Sequence, residues 1–283
     1  MKMKLDLVMW TLNGEKTLEQ SLSSIAKAIP EEQVCHRIMV DGGSHDNTKE
    51  IAQEFGWEVL PSHKGIARQA NVALSRVDTS LYASFEQDIL PSKGWLPRMQ
   101  RIIEKPGVAV AQGLRVAKGS RPVEAMNRWM VENHEIALST ISIDNNLYRT
   151  DLIREVGGYP AAEDNFGWPD LLLWGKIFAK GYTWLVDPEC ISGHLRPSFW
   201  GHVKHEAGFA RRRIWEYSDE RSFNRYARLF FSPIRGAEIA ARYHAPSTAL
   251  AYPLFRYLLF LSTLAAQKQP IARGRIGPVL QSQ

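Results

Sequence analysis

Cysteine is scarce. The 283 residues carry two, Cys35 and Cys190, which make neither a disulfide framework nor a metal motif and point to a reducing compartment. A secretory leader is also not expected: the opening MKMKLDLVMW has a basic flank, but its apolar run is short and Asn13 and Glu15 follow at once. No Ser-His-Asp or Cys-His arrangement stands out, so nothing points to a protein nucleophile. The chain is basic, with a formal net charge of +5 and a pI near 9.2. It has no zinc-finger or RNA-recognition signature, so nucleic acid is not the expected partner. Nor is there an uninterrupted spanning segment. Ser247 to Ala266 is mostly apolar, but Arg256 sits centrally and Pro253 interrupts it.

What is present is an ordinary globular composition, 45% hydrophobic and 23% charged, in a chain long enough to bury a sizeable core. Basic residues crowd the C-terminal third, where Arg211, Arg212 and Arg213 are consecutive and Arg221, Arg225, Arg228, Arg235 and Arg242 follow. Such a concentration suits phosphate groups or an anionic membrane surface. Short apolar runs at Leu5–Trp10, Arg37–Val40, Trp57–Leu60 and Leu81–Phe85 read as strands. Helical spacing separates them at Lys16–Ile29, Thr48–Phe55 and Lys64–Ser75. That alternation predicts an α/β domain with a mainly parallel sheet, whose ligands bind beyond the carboxyl ends of the strands. Polar loops stand at those ends: Thr11–Glu15, Asp41–Asp46 and Glu86–Asp88. Further on, Ile141–Tyr148 reads as a polar-rich strand, and Leu171–Ala179 as a helix after an acidic, aromatic loop.

The organising stretch is Leu81 to Trp95. Its apolar run ends in Glu86-Gln87-Asp88. Carboxylates two apart at a strand end can aim at one side of the sheet, and two hard oxygen ligands there suit Mg²⁺ or Mn²⁺ carrying a substrate diphosphate. Taken alone, the triplet also fits a solvated acidic turn.

With these loops in order, residues Leu5 to Arg213 resemble the inverting glycosyltransferases of family 2, which have the GT-A fold. The resemblance rests on Trp10-Thr11-Leu12-Asn13-Gly14-Glu15, on Val40-Asp41-Gly42-Gly43-Ser44-His45-Asp46, where Gly42 replaces the family's second Asp, and on Gly65, Arg68 and Asn71. Glu86-Gln87-Asp88 stands for the family's Asp-x-Asp metal motif. Asn145-Asn146-Leu147-Tyr148-Arg149 and Gly157-Gly158-Tyr159 continue the pattern. The family's catalytic base stands about eleven residues before a Gly-Tyr pair, which selects Asp170 ahead of Gly181-Tyr182; Asp164, in the true Glu-Asp pair Glu163-Asp164, is the rival. His194 matches a histidine that the family often places near the metal.

The resemblance implies a GT-A domain over residues 1–213, with a nucleotide-sugar half to about 113 and an acceptor half from about 114, and a helical extension over 214–283. It implies Mn²⁺ or Mg²⁺ held by Glu86, Asp88 and His194. It further implies a UDP- or GDP-sugar donor contacted by Thr11, Asn13, Glu15, Asp41, Gly43, Ser44, Gly65, Arg68, Asn71 and Gln87. A glycan or lipid-linked acceptor would meet Asn145, Asn146 and the loop aromatics Trp168 and Trp200. Trp174 and Trp184, inside regular elements, are expected in the core. Ser247–Ala266 reads as an interfacial helix, which would put a cytoplasmic enzyme at the inner face of a membrane; a helix packed on the catalytic domain or on a second subunit is the alternative. Two other readings stay open. A nucleotidyltransferase is disfavoured because Thr11–Glu15 is neither Gly-rich nor basic. A catalytically silent sugar- or lipid-binding relative is kept open by Glu86, Gly42 and Pro169.

Overall fold

The computed structural model describes residues 3–133, 141–160, 169–196, 198–211 and 222–267. Two compact units divide them. One holds the described residues up to Arg115 and from 141 to Leu195; the other holds Val116 to Asn133 and the described residues from Arg196 onward. The division of the C-terminal part falls at Leu195–Arg196, and a segment near the middle of the chain groups with the C-terminal helices.

The strands are β1 (Leu5–Thr11), β2 (Val34–Asp41), β3 (Glu58–Pro61), β4 (Leu81–Glu86), β5 (Ile89–Leu90), β6 (Val108–Gly119), β7 (Asn146–Arg149) and β8 (Thr183–Arg196), and all but the ends of β6 and β8 fall in the first unit. They form one sheet in the order β3-β2-β1-β4-β7-β6-β8-β5. Pairing is parallel from β3 through β2 and β1 to β4. It is antiparallel between β4 and β7, β7 and β6, and β5 and β8. The parallel sheet read from the sequence is thus its N-terminal half. The antiparallel half escaped that reading because its strands are short, polar or far apart in the chain: β7 covers only the end of the expected Ile141–Tyr148 strand.

Helices α1 (Glu15–Ala28), α2 (Thr48–Glu54), α3 (Ile66–Arg76), α4 (Trp95–Ile103), α6 (Thr150–Glu155) and α7 (Pro169–Ala179) belong to this unit, and α5 (Arg121–Asn133) falls between them in the chain. Strand β1 explains how they are sorted. Leu5, Leu7 and Met9 enter one core with Leu18, Leu22 and Ile25 of α1 and Trp95, Leu96 and Met99 of α4. Val8 and Trp10 enter the other, with Ala70, Ala73 and Leu74 of α3 and Leu173 and Ile177 of α7. The period-two alternation of a strand buried on both faces produces this division. The acidic break in β1 is satisfied locally. Asp6 is fully buried and accepts hydrogen bonds from the backbone N–H of His36 (3.1 Å), Asp78 (2.8 Å) and Thr79 (3.2 Å) and from the His36 ring (2.9 Å).

The second unit contains α5 with α8 (Phe199–Arg211), α9 (Ser222–Phe230), α10 (Ser232–Arg242) and α11 (Thr248–Gln267). Gly236 brings α10 close to α11: a Cβ there would lie 3.0 Å from the Ala249 carbonyl and 3.0 Å from the Pro253 ring. Tyr252 and Phe255 of α11 pack against Val123 and Met126 of α5.

Candidate functional site

Strand order reverses at β1, which feeds β2 on one side and lies beside β4 on the other. Such a switch point leaves a crevice beyond the strand ends. The loop after β1 and the turn after β4 flank it, and Gln87 joins them. Its Oε1 accepts from the Thr11 hydroxyl and from the Leu12 N–H at 2.8 Å, while its Nε2 donates to the Leu12 carbonyl at 3.3 Å. Gly14 stands opposite, and a Cβ there would sit 2.7 Å from Gln87 Oε1 and force the amide to shift.

With Gln87 turned to β1, Glu86 and Asp88 share a locality with His194. One ligand atom from each lies within 4.8 Å of the others. His194 Nε2 is 3.2 Å from Asp88 Oδ2. The histidine arrives by antiparallel pairing of β5 with β8, in which Ile89 faces His194, and the Leu195 N–H donates to the Asp88 carbonyl at 2.8 Å. Trp10 Nε1 donates to Glu86 Oε1 at 3.3 Å. Burial, then the nearby charges of Asp144 and Asp88, push the Glu86 carboxyl up to about 8. Two carboxylates and one imidazole form a mixed oxygen–nitrogen donor set that suits a divalent ion such as Mn²⁺, and crowded carboxylates that resist ionising together are what a cation relieves.

Behind this group stands an ion pair that the sequence did not reveal. Arg115 Nη1 donates to Asp144 Oδ2 at 2.7 Å; Asp144 is fully buried and Arg115 is partly exposed. The Ser142 hydroxyl donates to the other Asp144 oxygen. The Arg115 charge also acts on Glu86 and on Asp170. Asp170, in the first turn of α7, is pushed up to about 6, chiefly by burial; Arg115 pulls it down and Asp144 raises it. An alternating polar run through Ser142 and Asp144 was the available signal, but nothing in it marked Arg115 as the partner.

Several other expected site residues are engaged in the scaffold. Asp41 folds back on its own loop, accepting from the N–H of Gly43 (3.0 Å) and Ser44 (2.9 Å) and from the Ser44 hydroxyl. Asn13, at φ 51°, donates its N–H to the Ser44 hydroxyl oxygen (2.8 Å), and its side-chain oxygen accepts from the His45 N–H (3.0 Å). Glu15 is exposed and accepts from Asn47 at 2.9 Å. Asn71 pairs both ways with the Tyr159 backbone, at 2.7 and 2.8 Å, which holds the end of the Gly157-Gly158-Tyr159 turn. Gly65, at φ 143°, starts α3, and Arg68 on the first turn is exposed. Asn145 and Asn146, expected at the acceptor, are both fully buried. Trp200 is 62% exposed but lies in α8 and not in a loop. Trp184 is buried and donates to Gln112 at 2.8 Å; Trp174 is half-buried and stacks on Phe178. Asp164 and Trp168 lie outside the described residues.

Comparison with known proteins gives a consistent picture. The family model for glycosyl transferase family 2 matches residues 6–159. The glycosyltransferase AglE of Haloferax volcanii is 24% identical over 161 residues, 52% of this chain and 53% of that protein, so the match spans about half of its length. Among solved structures, the mannosyltransferase PcManGT from Pyrobaculum calidifontis, in complex with GDP-Man and Mn²⁺, has a TM-score of 0.62 at 16% identity, covering 95% of this chain and 88% of its own. TarS of S. aureus, in complex with UDP-GlcNAc, has a TM-score of 0.54 at 15% identity, covering 94% and 92%. At such identities the two structures speak to the fold.

Proposed function

The chain belongs to glycosyl transferase family 2, and from that premise we propose that it moves a sugar from a nucleotide diphosphate-sugar to an acceptor hydroxyl in one inverting displacement, with Mn²⁺ or Mg²⁺. The observation that carries this reading is the convergence of Glu86, Asp88 and His194 at the switch-point crevice. Those three residues would hold the ion. When bound, it would supply positive charge against the departing diphosphate. A GDP-sugar and a UDP-sugar are both candidate donors, given the ligands named for PcManGT and TarS.

The chain's own residues account for the remaining steps. The Thr11–Glu15 and Gly43–Ser44 loops, locked to each other, form a rigid seat for the nucleoside, and Arg68 offers a cation at its edge. Asp170 accepts the proton of the acceptor hydroxyl. Its raised pKa suits that task, because a base near neutrality holds a proton more readily than an ordinary aspartate. Arg115, fixed by Asp144, steadies the carboxylates around it. The acceptor is a glycan or a lipid-linked carrier, and the enzyme works in the cytoplasm in peripheral contact with a membrane.

Calorimetric titration of GDP, UDP and their sugars, with Mn²⁺ and then with chelator, tests the donor site. Metal-dependent binding of one nucleotide is the expected result. No binding of any of them would sink the Glu86–Asp88–His194 assignment, and binding with no turnover across a broad acceptor screen would favour the silent relative.

A further inference from the structure

Helix α11 presents two unlike faces. Tyr252 and Phe255 are turned to the neighbouring helices, and Phe255 stacks on His202 with ring centroids 5.2 Å apart. The opposite face carries Leu250, Leu254, Tyr257, Leu261 and Leu264, between 37% and 82% exposed. They follow one another at alternating steps of four and three, which keeps them on a single stripe of the helix. The stripe holds no charged residue. Phe230, Phe231 and Ile234, where α9 passes into α10, add exposed apolar side chains of 55–78% on helices that pack with α11.

Two occupants fit a stripe of that spacing, and the flanking residues separate them. A helix from a second copy would be specified by charged residues beside the seam. The flanks here are Ala251, Pro253, Leu258, Phe260 and Ala265, which specify no partner. The wider charge pattern favours a lipid surface. From Ser222 to Gln267 the chain carries Arg225, Arg228, Arg235, Arg242 and Arg256 against Glu238 alone, and Lys268, Arg273 and Arg275 follow with no acid. An apolar stripe on a helix set in a basic stretch of chain is the composition of a helix lying in a headgroup layer, although Arg242 is paired with Glu132 and Arg235 with Glu238. By length and composition α11 could also cross a bilayer. The contacts of Tyr252 and Phe255 with neighbouring helices and the central Arg256 argue for lying flat.

We propose that the outer stripe of α11 docks on an anionic lipid bilayer, with Phe230, Phe231 and Ile234 as a second point of insertion. This deepens the peripheral-contact part of the function proposed above and is independent of the transfer chemistry. Full-length protein should float with phosphatidylcholine vesicles containing phosphatidylglycerol, and much less with phosphatidylcholine alone. L254E/L261E should weaken flotation at least about tenfold. L250E, at the most exposed position, should weaken it severalfold, and its thermal midpoint should match the wild type. High salt should reduce binding. Flotation unchanged in both variants overturns the proposal. So does its loss on ending the chain at Gln267, which would place binding in the tail. A dimer seen by light scattering without vesicles, abolished by L254E/L261E while flotation persists, would assign the stripe to a second copy. GDP and UDP titrations on the same variants report the donor site separately, so failure there leaves the membrane result intact.

Discussion

Gln69 fills the space beside Gly42. A Cβ at position 42 would lie 3.1 Å from both the amide nitrogen and the amide oxygen of Gln69. That amide is fully used: Nε2 donates to the carbonyls of Thr11 and Val40, each at 2.9 Å, and Oε1 accepts from the Gly65 N–H at 3.3 Å. Gln69 thereby ties the ends of β1 and β2 to the start of α3. The departure from the family's Asp at position 42 is thus matched by a side chain that occupies its room. Gly42→Asp should cost about 1–3 kcal/mol through overpacking. Combined with Gln69→Ala it should cost less than the two single changes together, by at least about 1 kcal/mol. Urea unfolding of the four proteins measures the coupling, and strict additivity would refute it.

The carboxylates of the metal group make ion binding sensitive to pH. Without an ion, Glu86 holds its proton to about pH 8, because burial and its acidic neighbours disfavour the charge. An ion must displace that proton, so Mn²⁺ affinity should rise as pH increases from about 6 to 8. Asp88→Ala should abolish metal-dependent nucleotide binding, and Glu86→Gln should weaken it while flattening the pH dependence. Calorimetry at several pH values checks both; a steep pH dependence surviving in Glu86→Gln would assign the proton elsewhere.

Asp170 gives two readings of one pKa. As a base it must be ionised, so turnover should fall below about pH 6. Asp170→Asn should spare nucleotide binding and reduce transfer by about 10²–10⁴. The stability effect runs the other way along the pH axis. The folded carboxyl titrates near 6 and the ordinary one near 3.8, so the folded state keeps a proton that the unfolded chain releases between those values. Its contribution is complete below about pH 4 and is lost as pH rises through about 6. Asp170→Asn should remove that slope from thermal midpoints taken between pH 4 and 7. Normal transfer by Asp170→Asn would move the base to Asp164 or elsewhere.

The parts of this site that were legible in the sequence are those set by local period. Glu86 and Asp88 are two apart and the loops follow apolar runs, so their place at strand ends follows from chain geometry alone. His194 lies 106 residues from Asp88, and only β5–β8 pairing brings it there; family order, not chemistry, pointed to it. The helix Trp95–Ile103 went unread behind Pro91 and Gly94, although Trp95 is fully buried with its ring 5.0 Å from that of Phe85. Side-chain amides and short acids are the least legible. Asn71, Asn145, Asn146 and Asp41 have the chemistry to bind a sugar or to satisfy a backbone, and a sequence does not say which backbone groups will face them.

Asn145 is the sharpest test of that distinction. It sits at φ 61°, a left-handed conformation that asparagine tolerates and branched residues resist. Its N–H donates to the Ser84 carbonyl at 2.8 Å, and its carbonyl accepts from the Gly113 N–H at 3.0 Å. Its side chain donates to the Leu114 carbonyl (3.2 Å) and accepts from the Ser192 hydroxyl (2.9 Å). One residue thus joins β4, the middle of β6 and β8, the strand that carries His194. Asn145→Gly keeps the backbone conformation and loses the side-chain bonds, which should cost about 1–3 kcal/mol. Asn145→Leu adds left-handed strain and a bulky side chain, and should cost at least about 1 kcal/mol more. Because the side chain never meets solvent, acceptor KM in Asn145→Gly should stay close to wild type while the urea midpoint drops. Full stability with a changed acceptor KM would place Asn145 in the acceptor site.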